Sequence, residues 1–318
     1  MSEVTASASE AEVEGLFASM SNRGRWGEDD RLGTLNLITA EKRWQAATLV
    51  QEGLTVSCAW DIRPNAMSAN ASFGTPAQRY MVMTCCEPFG GDGRGAMASE
   101  WFGMLYHGVE ITHLDALSHM AWDGQLYNGV PVSSQTPTSG ATELSVVEAA
   151  GGIVSRGVLL DVPALTGRPW LEPAEPVRPA DLDAACARQG VVVESGDVVL
   201  LHTGYARRRR ELGMGMAISS EGYPGWHAST LPWLREHGVA AIGTDTATDV
   251  QPSGYTGVPT PVHYVGIVAM GLWLIDNCDF VELAQTCAQL GRWTFLFVLT
   301  GLRLRGGTGS PANPLAIL

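Results

Sequence analysis

Short apolar runs that end on a polar residue dominate the second half of the chain. Gly157-Val158-Leu159-Leu160-Asp161, Asp197-Val198-Val199-Leu200-Leu201-His202 and Val239-Ala240-Ala241-Ile242-Gly243-Thr244-Asp245 show no alternation of apolar and polar positions, the pattern of strands buried on both faces. Between them the spacing predicts helices over Pro179 to Gln189 and Ala228 to His237. In the first half, Arg43 to Glu52 is spaced as a short helix stopped by Gly53, and Leu54 to Trp60 reads as a strand. Met81 to Thr84 and Phe102 to His107 read as further strands, separated by the glycine-rich turn Gly90-Gly91-Asp92-Gly93. Residues 122–140 read as a loop that could form a pocket rim. Strands alternating with helices predict an α/β fold with its site at polar strand ends. No repeat or linker divides the chain, so the expectation is one domain over residues 15–318 behind a loose segment, residues 1–14.

With 45% hydrophobic and 17% charged residues, the composition fits a folded enzyme. A formal charge of −13 argues against nucleic acid as a partner, because phosphate neutralisation needs basic surface. The one basic run, Arg207 to Arg210, reads as a solvated face, with an anchor for an anionic substrate as the minority reading. No apolar run approaches the roughly 18 residues of a membrane span. The Ala/Ser/Glu-rich start has no basic or apolar stretch, so the expected location is the cytoplasm. Six cysteines without CxxC spacing are expected to be reduced core residues.

The chemistry concentrates between Tyr106 and His119, which hold three of the seven histidines and two carboxylates. In a regular strand, His107, His113, Asp115 and His119 lie at even offsets and share one face. Imidazole and carboxylate are ligand types preferred by zinc, manganese and similar divalent ions, so a metal site is expected. The competing reading is a polar strand edge with solvated histidines. Elsewhere, His202 reads first as a hydrogen-bonded core histidine, His227 as a loop or cap residue, and His237 as a favourable charge at a helix C-terminus. Asp161, Asp245 and Asp249 read as structural or supporting carboxylates with no assigned chemistry.

Thr112-His113-Leu114-Asp115-Ala116-Leu117-Ser118-His119 resembles the T-H-x-D-x-x-x-H part of the signature H-x-G-T-H-x-D-x-P-x-H, which marks the cyclase-like metal-dependent hydrolases that include kynurenine formamidase and isatin hydrolase. Trp26 to Asp30, Gly33 to Asn36, Arg156 to Asp161, Gly196 to Leu200, Gly243 to Thr246 and the ending Gly306 to Pro314 resemble the longer branch of that family, in order. The resemblance implies a swivelling β/β/α-type α/β domain, a homodimer or larger homo-oligomer, and a zinc or manganese centre. It also implies a small-molecule amide or lactam substrate attacked by metal-activated water.

Carried over, His113 and Asp115 are implied metal ligands and His119 the acid/base. His263 is the implied downstream ligand, and Asp276 stands in the position of a family glutamate. The family's first histidine falls on Val109, leaving His107 or Glu110 to fill that place through a bulge, with Glu110 also a candidate general base. Leu117 stands where the family has proline. The alternatives are a metal-dependent cyclase or dehydratase, and a non-catalytic binding protein on a degenerated metal site. The terminal glycines lack the lysine of a phosphate loop and are expected to permit close backbone approach, in a place beside the site.

Overall fold

A computed structural model describes residues 10–64, 77–91, 93–213 and 221–318. Its frame is a nine-stranded mixed sheet. In spatial order the strands are Thr55–Ser57, Leu315–Ile317, Thr294–Leu299, Ile153–Asp161, Val198–His202, Ala241–Thr244, Trp273–Asp276, His113–Asp115 and Gly309–Pro311. The middle four pair in parallel, and the flanking pairs are antiparallel.

Three of the four parallel strands are the apolar runs read from the sequence, and Trp273–Asp276 is the fourth. Val158 to Leu160, Val198 to Leu201, Ala241, Ile242 and Trp273 to Ile275 are all fully buried. Each Val, Leu or Ile so buried contributes about 1.5–3 kcal/mol. Parallel strands need crossovers, and the chain supplies helices for them. Helix Pro179–Gln189 starts with proline in its first turn and with Asp181 accepting a hydrogen bond from the Arg178 N–H at 2.8 Å. It ends where Gly190 takes φ +65°, and it buries Leu182 and Ala185. Helix Leu231–Glu236 follows a 3-10 turn at Ala228–Thr230, so the segment 228–237 is helical in two pieces.

Several sequence expectations shift. The expected helix from Arg43 starts earlier, as Ala40–Ala47, because the Thr39 hydroxyl caps the Lys42 N–H. The expected loose segment 1–14 lies mostly outside the described residues, and its last part, from Glu10, belongs to helix Glu10–Met20, where Val13 is buried. Asp92 of the glycine-rich turn also lies outside the described residues. All six cysteines are free, but Cys85 and Cys86 are exposed rather than in the core. No helix among the described residues is long and apolar enough to cross a membrane.

The expected strand Phe102 to His107 ends at Gly103. Residues 107–111 form a bend in which Gly108 takes φ +138°, a conformation that side-chain-bearing residues rarely adopt. The strand period therefore does not place the histidines, because only His113–Asp115 of that segment is extended.

Candidate metal centre

His113–Asp115 lies between two partners in the sheet. Asp276 is directly across from His113 on one side, and Gly309 is directly across from Asp115 on the other. Leu114 points into the core while its two neighbours face the opposite side, so three residues of strand deliver two potential ligands. The bend at Gly108 returns His107 to this face, and a turn closed by the His119 N–H to the Ala116 carbonyl at 2.9 Å brings His119 back to it.

Asp115 is the hub. Its Oδ1 lies 2.9 Å from His107 Nδ1, 3.4 Å from His113 Nε2 and 3.8 Å from His119 Nε2. Its Oδ2 lies 3.5 Å from His263 Nε2, which is also 3.4 Å from Asp276 Oδ2. Two convergent sets share Asp115: His107 with His119, and His113 with Asp276. The His107 and His119 rings stack with centroids 4.0 Å apart.

The outer nitrogens fix the rings. His113 Nδ1 donates to the Ile111 carbonyl at 2.7 Å, and His263 Nδ1 donates to Asp249 Oδ2 at 2.6 Å. In each neutral ring the lone pair is then on Nε2, turned toward carboxylate oxygens. His107 Nε2 is held 3.0 Å from the Thr308 hydroxyl. Asp276 is anchored by the Thr248 hydroxyl at 2.5 Å.

Imidazole nitrogens facing carboxylates call for positive charge between them, which a proton on the ring or a bound cation supplies. Asp115 is fully buried, yet neither oxygen has a hydrogen-bond donor, and His107 Nδ1 approaches without the alignment of a hydrogen bond. Ligand atoms about 2.1 Å from one tetrahedral ion are separated by about 3.4 Å, the spacing seen around Asp115. The residues fit a divalent metal. Outer hydrogen bonds from imidazole to carbonyl or carboxylate are also the usual second-layer support of metal-binding histidines.

The electrostatics agree. Burial alone would depress His113 and His263, but Asp115 acting on the first and Asp276 on the second carry both upward, His263 well above its ordinary value. Burial would raise Asp115, and the charges of His119 and His113 hold it well below the carboxylate range. His119 goes the other way: burial, reinforced by the neighbouring imidazoles, lowers it to about 4. The carboxylates draw positive charge to the cluster, while burial and the neighbouring imidazoles keep His119 neutral near pH 7 against the pull of Asp115.

Of the sequence candidates, His107, His113, Asp115, His119, His263 and Asp276 converge. Glu110 does not join either set, and its charge is felt instead by Arg209. His202 hydrogen-bonds Asp161 at 2.9 Å across adjacent strand ends. His227 caps the turn at Ala228–Thr230, and His237 bonds the Trp233 carbonyl at 2.9 Å at the end of its helix. Asp245 accepts from the Thr203 N–H and hydroxyl. Asp249, read from the sequence as a structural or supporting carboxylate, positions His263, whereas the sequence reading missed Thr248 and Thr308 as positioning residues. Gly309 also belongs to the site, since a Cβ there would lie 2.5 Å from the Leu114 carbonyl oxygen and 2.8 Å from His107 Cε1.

A family model for cyclases matches residues 63–249, more than half of the chain, including the His107 to His119 segment. The chain is 30% identical to a crystal structure described as a novel cyclase, covering 95% of this chain and 99% of that one with a TM-score of 0.85. Isatin hydrolase A from Ralstonia solanacearum is 22% identical, with 83% of this chain and 91% of that chain covered and a TM-score of 0.58. Isatin hydrolase A from Labrenzia aggregata, bound to benzyl benzoate, is 21% identical, with 83% and 93% covered and a TM-score of 0.56. These two likenesses are of fold. No curated protein matches the chain.

Proposed function

The chain belongs to the cyclase family, and on that premise we propose that the protein is a metal-dependent hydrolase of the C–N bond in an aryl formamide, lactam or related amide. The observation that carries this reading is Asp115, a buried carboxylate with two unpartnered oxygens faced by four imidazoles. The isatin hydrolases that share the fold are named for a cyclic amide substrate, which supports the substrate class.

His107, His113, Asp115, His263 and Asp276 are the residues that would hold zinc or manganese. Such an ion, when bound, supplies Lewis acidity, which strengthens water as a nucleophile and polarises the carbonyl. The protein's own part is orientation and proton handling. Ile111, Asp249 and Thr308 lock three rings, so their inward nitrogens are placed before any ligand arrives. His119, neutral near pH 7, accepts the proton released as water adds to the carbonyl and returns it to the leaving nitrogen. The product is a carboxylate and an amine.

The match to a family and a structure described as cyclases favours one rival, a cyclase or dehydratase working on the same centre without consuming water. Reaction in 18O-labelled water on N-formylkynurenine and isatin separates the two. Hydrolysis places one solvent oxygen in the acid product, and turnover without incorporation would sink the hydrolase reading. His119→Ala should lose turnover and keep its metal; a normal rate would remove the acid/base role. The exposed hairpin of Gln78–Thr84 and Ala98–Gly103, with Tyr80, Val82, Trp101 and Phe102 open, supports a homodimer or larger assembly. Light scattering at monomer mass would contradict it.

A further inference from the structure

The four arginines at 207–210 do not form one solvated face, because helix Tyr205–Leu212 turns them around its axis. Arg207 pairs with Glu211 at 2.6 Å, Arg208 reaches Glu221 at 3.9 Å, and Arg210 pairs with Asp279 while its guanidinium lies 4.8 Å from the centre of the Trp60 ring. Arg209 instead turns inward and is only 5% exposed. Its Nε and Nη2 are buried without a hydrogen-bond partner. Its guanidinium lies 5.0 Å from the centre of the Trp60 ring, and the Trp60 Nε1 is likewise buried and unpartnered.

The carboxylates whose charge reaches Arg209 do not satisfy these donors. Asp245 is engaged by Thr203, Asp279 holds Arg210, and Glu110 makes no hydrogen bond to either nitrogen. Burial lowers the Arg209 pKa to about 10, which leaves it charged at neutral pH. A buried cation with open donors is costly to the fold, and an anionic partner at those donors would offset the cost.

The pair flanks the metal centre. The backbone N–H of Trp60 donates to the Thr112 hydroxyl at 3.0 Å, and Thr112 precedes His113. Tyr205, on the same helix as Arg209, sits 6.5 Å from Tyr223, whose ionisation burial and the nearby Asp276 and Asp249 oppose. Nε and Nη2 form one edge of the guanidinium, the fork that matches the two oxygens of a carboxylate.

We propose that Arg209 and Trp60 form a carboxylate-binding subsite, so that the substrate carries a carboxylate of its own in addition to the bond that is cleaved. The inference rests on the neighbouring cluster being the reaction centre. It divides the notional amide substrates into those with an acid group, which are held at two points, and those without, which are held at one.

The test is calorimetric titration of benzoate and of its uncharged analogue benzamide into the protein as purified and after chelation. The wild type should bind benzoate at least about tenfold more tightly than benzamide in both states. Arg209→Met should bring the two within about twofold, Arg209→Lys should fall between, and Trp60→Phe should weaken benzoate about tenfold while keeping the ring. Equal affinities in the wild type, or an undiminished preference in Arg209→Met, would overturn the subsite. A preference abolished by chelation but not by Arg209→Met would overturn it too, by assigning the anion to the metal. If the protein proves not to be a hydrolase, turnover is absent while this binding readout stands unaffected.

Discussion

His107 Nδ1 lies 2.9 Å from Asp115 Oδ1, although seven residues and a sharp bend at Gly108 separate the two side chains in the chain. The bend puts His107, and not Glu110, beside the hub carboxylate. His107→Ala should therefore weaken metal binding by about 10- to 100-fold, whereas Glu110→Gln should bind metal as the wild type does. Competition titration with a chromophoric chelator reads both. The opposite ranking would give the place to Glu110.

Asp249 reaches the centre only through His263. It accepts from the Val262 N–H at 2.7 Å, the His263 N–H at 3.1 Å and His263 Nδ1. Asn in its place presents an amide group to donors and loses the charge that orients the ring. Asp249→Asn should cost about 10- to 100-fold in metal affinity with the fold retained. Unchanged affinity would show that the ring is held by packing alone.

The residues that touch the hub were partly legible in the chain, and of those that position them only Asp249 was named, as a supporting carboxylate with no assigned partner. His113, Asp115 and His119 stand close enough in sequence for their density to signal a site. His107 converges through a glycine bend, so the even offsets pointed to the right residue by the wrong geometry. His263 and Asp276 entered through family resemblance alone. Thr248 and Thr308 act across distances in sequence that no local pattern spans, and a buried Thr looks in one dimension like any loop polar residue. Three of the four parallel strands were legible because burial on both faces leaves an unbroken apolar run, while Trp273–Asp276 was not read as a strand. Gly309–Pro311 was not, since its glycine serves close approach rather than strand propensity.

Gly309 itself gives a test of that closeness. A methyl group at this position meets the Leu114 carbonyl and the His107 ring, and the backbone oxygen has little freedom to retreat. Gly309→Ala should cost about 1–3 kcal/mol of stability and lower metal affinity by displacing His107. A variant with wild-type denaturation midpoint and affinity would show the contact to be slack.

Asp161 and His202 supply a pH signature remote from the hub. Burial pushes the His202 imidazole down, and the hydrogen bond to Asp161 with nearby negative charge more than offsets it, so the folded pKa is raised. The protonated form is then favoured by folding. Its stabilisation is complete below the ordinary value of about 6.5 and is lost as pH rises through the folded one. Asp161→Asn should cost about 1–2 kcal/mol at pH 6 and less at pH 9, read by urea unfolding. An equal cost at both values would show that His202 stays neutral.

The account turns on Asp115, and metal stoichiometry tests it most directly. Elemental mass spectrometry of wild type and Asp115→Ala, each chelated and then re-metallated with zinc or manganese, should find about one or two equivalents in the wild type and a large loss in the variant. Equal stoichiometry in the two proteins, or no metal in the reconstituted wild type, would contradict a metal centre built on this carboxylate.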